Sequence, residues 1–481
     1  MSYLLGIDEG TSAVKAVLYD LELNAVREAR VDKRLHHPRP GWVEQDGMEV
    51  LTCVAQAVSE VLQDGEDVVA AGLDHQGESV LAWNAQTGEP ITPIVTWQDK
   101  RSQEILDRLT ADGTADEVTK LSGMPLDPYF SAGKLTWLLE NDEGVQAARD
   151  AGTLRLGTVD SFLCDRMGAG FATDPSTASR TQLGAPEFDP RLLEIFGVPA
   201  EALPTIADTA GDLGTLKHES WPQELPLRAR CVDQQAALAG AGCVVPGRVK
   251  ATYGTGVFVL AHAGSERPEP EGGLLPTAAW QVAGNVEWAL DGGVFTAGEL
   301  MEWLTRDMGI AADVPALVAE AGRVEDSGGV RVLPALAGMG APWWRSGARA
   351  VISGLTSGTR SPHIARAALE SIAWRVADIV AAIRESVEVE VLRVDGGLTR
   401  SDLLLQMQAD AAGIPVQRGA VDATAAGAAA LAAVGAGVWD STEAIDQHVP
   451  VGERFEPQRD DDWREREHVA WTEFVEHATE L

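Results

Sequence analysis

The stretch Leu4-Leu5-Gly6-Ile7-Asp8-Glu9-Gly10-Thr11-Ser12-Ala13-Val14-Lys15 constrains this chain more than any other. Leu4, Leu5 and Ile7 read as a buried strand that ends at Asp8. Val14, Ala16, Val17 and Leu18 read as a second strand. The turn between them offers backbone N–H groups, two hydroxyls and the cation of Lys15, a combination that cradles anions such as phosphate. Asp8 supplies the hard oxygen that Mg2+ prefers. An ordinary hairpin with glycine in its turn has the same pattern, so this stretch alone leaves both readings open. Ala251–Leu260 repeats the design, strand, Gly254-Thr255-Gly256 turn and strand. Two such hairpins, one in each half, predict an α/β chain of two related domains that clamp one nucleotide between them.

A length of 481 residues suits two or three domains. Gly247 falls just before the second hairpin, so the expected division is 1–245 and 246–481. No apolar run reaches the ~18 residues needed to cross a bilayer, and the N-terminus lacks the basic and apolar regions of a signal peptide. The four cysteines, at 53, 164, 231 and 243, have no metal-ligand spacing and suit buried thiols in a reducing cytoplasm. With 73 acidic against 38 basic residues the net charge is −35. Such a surface repels nucleic acid and anionic membranes, which argues against both as partners. It suits a salt-rich cytosol, where molar salt shortens the Debye length to about 3 Å and screens self-repulsion.

Along the chain, apolar spacing predicts helices over Met48–Leu62, Asp402–Ala412 and Ala423–Gly435, the last so rich in small residues that it must pack closely. Pro175–Thr181 reads as a polar loop. Trp463, Trp471 and Phe474 are expected to anchor a charged tail. Glu78, Asp99, Asp233 and Asp395 all fall at strand ends, the edge where open α/β sheets bind ligands. His75 reads as a structural histidine. Trp97 and Tyr129 could line a sugar or polyol pocket, although core packing is the common fate of such rings. No G-x-G-x-x-G follows a strand and no G-x-x-x-x-G-K-[ST] occurs, which excludes a Rossmann dehydrogenase and a P-loop enzyme.

These motifs together resemble the FGGY carbohydrate kinases, and among them the glycerol kinases, over about residues 1–440. The matching pieces are Asp8-Glu-Gly-Thr-Ser, Val95-Thr-Trp97-Gln98, Asp127-Pro-Tyr129-Phe-Ser, Gly157-Thr-Val-Asp, Val232-Asp233-Gln234-Gln235-Ala-Ala, Thr252-Tyr-Gly254-Thr255-Gly256, Gly340-Ala-Pro-Trp343, Gly354-Leu-Thr, Ala365-Arg-Ala-Ala-Leu-Glu370 and Val394-Asp395-Gly396-Gly397. The resemblance implies two actin/hexokinase-like (ribonuclease H-like) domains around a cleft, and transfer of a phosphoryl group from ATP, with Mg2+, to a terminal hydroxyl of a small polyol or sugar. It carries metal proximity to Asp8 and the first phosphate loop to Thr11, Ser12 and Lys15. Gly254 and Thr255 match the second phosphate loop, and Gly298, Gly397 and Ser401 the surroundings of the adenosine. Asp233 matches the catalytic base, Gln234 its substrate-holding neighbour, and Glu78, Trp97, Tyr129 and Phe258 the polyol pocket.

Three positions depart from the glycerol kinase pattern. Lys15 stands where the family usually has Arg, and Ser401 where glycerol kinases usually have Asn. Gln76-Gly77-Glu78 replaces Gln-Arg-Glu, so the guanidinium that would hold the acceptor's hydroxyls is missing at Gly77, and its loss is expected to open volume there. Together with Asp99-Lys100-Arg101, which is closer to the pentulose kinase pattern, this leaves glycerol, a larger polyol and a ketopentose such as xylulose or ribulose open as acceptors. An actin-like ATPase without a polyol pocket is the reading from another class. Assembly as a homodimer or homotetramer stays open.

Overall fold

The computed structural model describes residues 2–63, 65–269, 272–345, 347–419 and 423–480. β1 (Ser2–Glu9), β2 (Ala13–Tyr19) and β3 (Ala25–Asp32) form an antiparallel meander. Helix α1 (Gly47–Val61) follows; the Asp46 carboxylate accepts from the N–H groups of Met48 and Glu49 and so satisfies its first turn. Its buried Val50, Val54, Val58 and Val61 cover one face of the sheet. β4 (Asp67–His75) then runs parallel to β1, and β5 (Leu225–Val232) parallel to β4. The helices α2 (Ser131–Asn141) and α3 (Pro175–Arg180) lie between them in sequence, and a smaller four-stranded sheet is built from Glu44–Gln45, Ile94–Val95, Val80–Asn84 and Leu154–Thr158. Helix α4 (Asp233–Gly240) leaves the end of β5.

The second half repeats this order. β6 (Arg248–Tyr253), β7 (Val257–Gly264), β8 (Leu275–Val282) and β9 (Asn285–Val294) are antiparallel neighbours. After α5 (Gly298–Arg306) and the long α6 (Ser361–Arg384), β10 (Val391–Asp395) returns parallel to β6. Helix α7 (Asp402–Ala412) leads to β11 (Val416–Arg418), parallel to β10. The two sheets share a five-strand order, β3-β2-β1-β4-β5 in one and β9-β7-β6-β10-β11 in the other; Thr215–Leu216 extends the first beyond β5, and β8 and Arg454–Phe455 extend the second at its two edges. The chain is therefore a pair of α/β lobes of like topology, as the paired hairpins predict.

Helix α8 (Ala423–Gly435) joins them. Its run of alanines lies so close to β1 and β4 that a Cβ on Gly6 or Gly72 would enter the carbonyls of Ala425 and Ala428, and it crosses α4 where Gly240 meets Ala423. A larger side chain at those sites would separate the lobes from their common hydrophobic cluster. The closing helix α9 (Asp461–Thr479) docks through buried Trp471, whose indole N–H donates to Asp378 at 3.1 Å, and through Trp463 stacked on Trp374.

Residues 175–180 correct the expectation of a loop. Pro175 at the first position and the Asp174 carboxylate, which accepts from the N–H groups of Ser176 and Thr177, start a helix there. All six of its residues are buried, so it carries no polar and apolar periodicity to read. Among the described residues, no helix is long and apolar enough to cross a membrane.

Candidate active site

The first turn is fastened by side chains from elsewhere in its lobe. The Trp97 indole donates to Thr11 Oγ1 at 2.9 Å, and Gln45 donates to the Thr11 carbonyl at 2.7 Å. Gln76 donates to Gln45 and to Glu9, and accepts from Ser79 at 2.8 Å; Ser79 in turn accepts from the Trp97 backbone N–H. These bonds close a ring that includes the phosphate-type turn and an aromatic side chain of the expected acceptor pocket. Lys33 pairs with Glu9 at its back, and Lys33 N–H donates to the Ser12 carbonyl. Lys15 sits opposite Asp8 in the hairpin register and pairs with Glu28 at 3.1 Å. Gln45 and Ser79 are not legible as site residues in the sequence, since nothing local marks Gln45 as bonding across 34 and 31 positions or Ser79 across 18.

Asp233 begins α4 where the parallel strands of the first lobe end. Burial raises its pKa to about 7, with Glu78 and Asp8 pushing the same way against Lys250 and His75. Lys250, buried on β6 of the other lobe, donates to Gln234 at 2.8 Å. Glu78 is bound by Arg180 of α3 at 2.7 Å, and the same guanidinium reaches Asp291 of β9 at 2.8 Å, so one buried arginine ties the lobes together at the pocket. Tyr129 meets Trp97 edge to face at 5.8 Å. Burial, reinforced by Glu78, keeps its phenol neutral. Lys134 holds this loop from below, donating to the carbonyls of Tyr129, Phe130 and Glu78. Phe258, half-buried on β7, lies beside Gly293. His75 bonds Thr177 at 2.9 Å and faces Asp160, a structural role.

The second turn lines a crevice in the C-terminal lobe. Gly254, Thr255, Gly298, Gly397 and Ser401 share its wall with Tyr253, Glu302, Val318 and Leu398. Helix α5 begins against this turn: Ala297 N–H donates to the Thr255 carbonyl and Gly298 N–H to the Gly254 carbonyl. A side chain on Gly298 would run into the Gly254 carbonyl. Ser401 caps α7 by accepting from Leu404 N–H at 3.1 Å. Glu302, one helical turn after Gly298, escaped the sequence reading because a glutamate on an exposed helix face looks like any solvated charge.

The Mg2+ implied by the resemblance finds fitting residues at the first turn. Asp8 on β1 stands directly across from Asp74 on β4. Burial raises Asp8 to about 6 and Asp74 well above the ordinary carboxylate range, the latter helped by Asp8 itself. Buried carboxyls of this kind suit a hard divalent cation.

With this geometry in place, comparison with known proteins becomes informative. Residues 3–240 match the N-terminal domain of the FGGY family of carbohydrate kinases and residues 249–436 its C-terminal domain. The chain belongs to the FGGY family. The glycerol kinase of Citrifermentans bemidjiense is 40% identical to it over 488 residues, covering 99% of this chain and 98% of that protein. The crystal structure of Plasmodium falciparum glycerol kinase with ADP has a TM-score of 0.94 at 30% identity, over 99% of this chain and 98% of that one. A xylulose kinase from Rhodospirillum rubrum shares the fold, with a TM-score of 0.87 at 21% identity over the full length of both. The protein is an ATP-dependent carbohydrate kinase of the actin/hexokinase-like fold.

Two features bear on how this FGGY kinase departs from the glycerol kinase pattern. A Cβ at Gly77 would sit 2.8 Å from a methyl of Val232. The missing arginine therefore leaves no opening beside Gly77, because Val232 fills the place where its side chain would begin. Asp99, expected among the strand-end acids of the site, instead accepts from Val43 N–H at 2.6 Å and grips Arg101, whose guanidinium reaches Glu44 and lies 3.8 Å above the Trp42 ring. The Asp99-Lys100-Arg101 run thus builds a corner of the lobe.

Proposed function

We propose that this kinase transfers the ATP γ-phosphoryl group to a terminal hydroxyl of a short polyol, with glycerol as the reference acceptor. The observation that carries the reading is Asp233: a half-buried carboxylate whose pKa desolvation lifts to about 7, beside Glu78 and within reach of the field of Asp8. A general base works best with a pKa near the working pH. In this account Asp233 takes the proton of the attacking hydroxyl. Glu78, held by Arg180, and Gln234, held by Lys250, orient the acceptor, while Trp97 and Tyr129 pack its C–H faces. Thr11, Ser12 and Lys15 receive the phosphates from one side and Gly254 and Thr255 from the other. Gly298, Gly397 and Ser401 border the adenosine. A bound Mg2+, held at Asp8, neutralises charge on the phosphates.

The overall likeness to glycerol kinases, at 40% identity over the whole chain, favours glycerol over a ketopentose. The filled space beside Gly77 favours a short acceptor as well. A coupled ADP-release assay with glycerol, erythritol, xylitol, xylulose and ribulose tests this. The expected result is the highest kcat/KM with glycerol or erythritol. A preference for xylulose or ribulose would overturn the acceptor assignment, and ADP release without any acceptor dependence would overturn the kinase mechanism.

A further inference from the structure

Asp74 has no role in the proposed reaction, yet its environment is unusual. It is fully buried on β4, and neither carboxyl oxygen has a hydrogen-bond donor among the described residues. Buried carboxyl oxygens are rarely left without a partner. Its register partner across the parallel pair is Asp8, whose carboxyl lies within hydrogen-bonding reach. The one hydrogen bond open to the pair is to each other, with a proton shared between the two carboxyls. Of the neighbouring basic side chains, Lys33 holds Glu9, Lys250 donates to Gln234, and His75 is turned to Thr177. Two acids are thus brought face to face at the bend of the first turn.

We infer that Asp74 and Asp8 together ligate the divalent cation that accompanies the nucleotide. Mg2+ is commonly bound by one or two carboxylates, with phosphate oxygens and water completing its sphere. Among the described residues no cluster of three His, Cys, Asp or Glu side chains could hold a metal by itself, which fits a two-carboxylate site completed by the nucleotide. The inference rests on the proposed placement of the phosphates at the first turn.

The test uses the full chain with Mn2+ as the probe. Electron paramagnetic resonance would titrate Mn2+ into the protein–ADP complex for the wild type, Asp8→Asn, Asp74→Asn and Asp74→Ser, with metal-free ADP affinity measured in parallel. Both substitutions at Asp74 are expected to weaken Mn2+ binding tenfold or more, as Asp8→Asn does, with ADP affinity in the absence of metal within twofold of the wild type. An Mn2+ affinity within twofold of the wild type in the Asp74 variants would overturn the inference. Should neither variant fold, pulsed resonance on the wild type with 13C-aspartate decides: coupling to two carboxylates supports the pair, and coupling to one overturns it. Acceptor-dependent ADP release by the wild type is scored separately. Its absence would remove the proposed function and leave a two-carboxylate Mn2+ result standing.

Discussion

The two hairpins occupy the same place in two lobes of the same strand order, but they are secured by different means. In the first lobe, mainly side chains hold the turn: Trp97 and Gln45 bond Thr11, Gln76 and Ser79 brace them, and the Lys33 backbone N–H adds a bond to the Ser12 carbonyl. In the second lobe, backbone holds it, through Gly254 N–H to the Gly256 carbonyl and the first N–H groups of α5. The strand positions ahead of the turns differ in the same sense. Asp8 and Asp74 face each other in the first lobe, whereas Thr252 and Asp395 share the corresponding register in the second. A turn braced by a side-chain network can carry charged, acceptor-linked chemistry. A turn braced by close glycine contacts can offer little more than N–H groups and room for a nucleotide. One topology thus carries two differently braced bends, divided by what was placed around each.

Substitutions that act on one turn and spare the other sharpen this contrast. The largest effect is expected from Gly77→Arg, which must displace Val232 beside Asp233. Overpacking of this kind costs about 1–3 kcal/mol or more, so kcat/KM should fall roughly 100-fold for every polyol, and Val232→Gly in the same chain should recover most of the loss. An unimpaired single variant would mean that Val232 yields freely. Next is Gly298→Ala, which forces α5 away from the Gly254 carbonyl. KM for ATP should rise roughly tenfold, the equivalent of about 1.4 kcal/mol, with KM for the acceptor unchanged; a rise in acceptor KM alone would break the division of labour. Trp97→Phe keeps the ring and removes one hydrogen bond to Thr11, worth about 1 kcal/mol. A loss of about fivefold in kcat/KM for the acceptor is expected, with nucleotide affinity nearly unchanged.

The smallest effect is a pH slope in stability. Folding raises Asp8 to about 6 and Asp233 to about 7 from 3.8, so the folded chain binds more protons than the unfolded chain between about pH 4 and 7. Metal-free stability should therefore fall as pH rises through that window. Asp233→Asn should flatten the fall, so its melting temperature gains on the wild type by a few degrees toward pH 7. A gap that is constant with pH would contradict the raised pKa. Thr252, at the position of Asp8, gives the second lobe no counterpart to that residue's share.

Much of this arrangement was legible in the sequence wherever local pattern decides structure. The hairpins, Asp402–Ala412 and Ala423–Gly435 appear as apolar periodicity and glycine spacing indicate. Gly254, Thr255, Gly298, Gly397 and Ser401, which the FGGY resemblance assigns to the nucleotide, line one crevice. What escaped is long-range or fully buried. The helix Pro175–Arg180 has no exposed face, and only the Asp174-Pro175 start was available as a signal. Arg180 meets Glu78 and Asp291 across 102 and 111 positions, and Lys250 meets Gln234 across the lobe boundary. Gly77 looked like an opening because its neighbour in space, Val232, is remote in the chain. A deleted side chain tells nothing about volume until the residue facing it is known.

The central claim is that a lone carboxylate at the meeting of the lobes deprotonates the acceptor while both turns hold the nucleotide. Its most direct test is Asp233→Asn, with ATP binding measured by calorimetry and turnover by ADP release on the same preparation. ATP affinity within about twofold of the wild type, with turnover reduced 100- to 10000-fold as expected for loss of a general base, is the predicted result. Turnover within tenfold of the wild type would contradict the account.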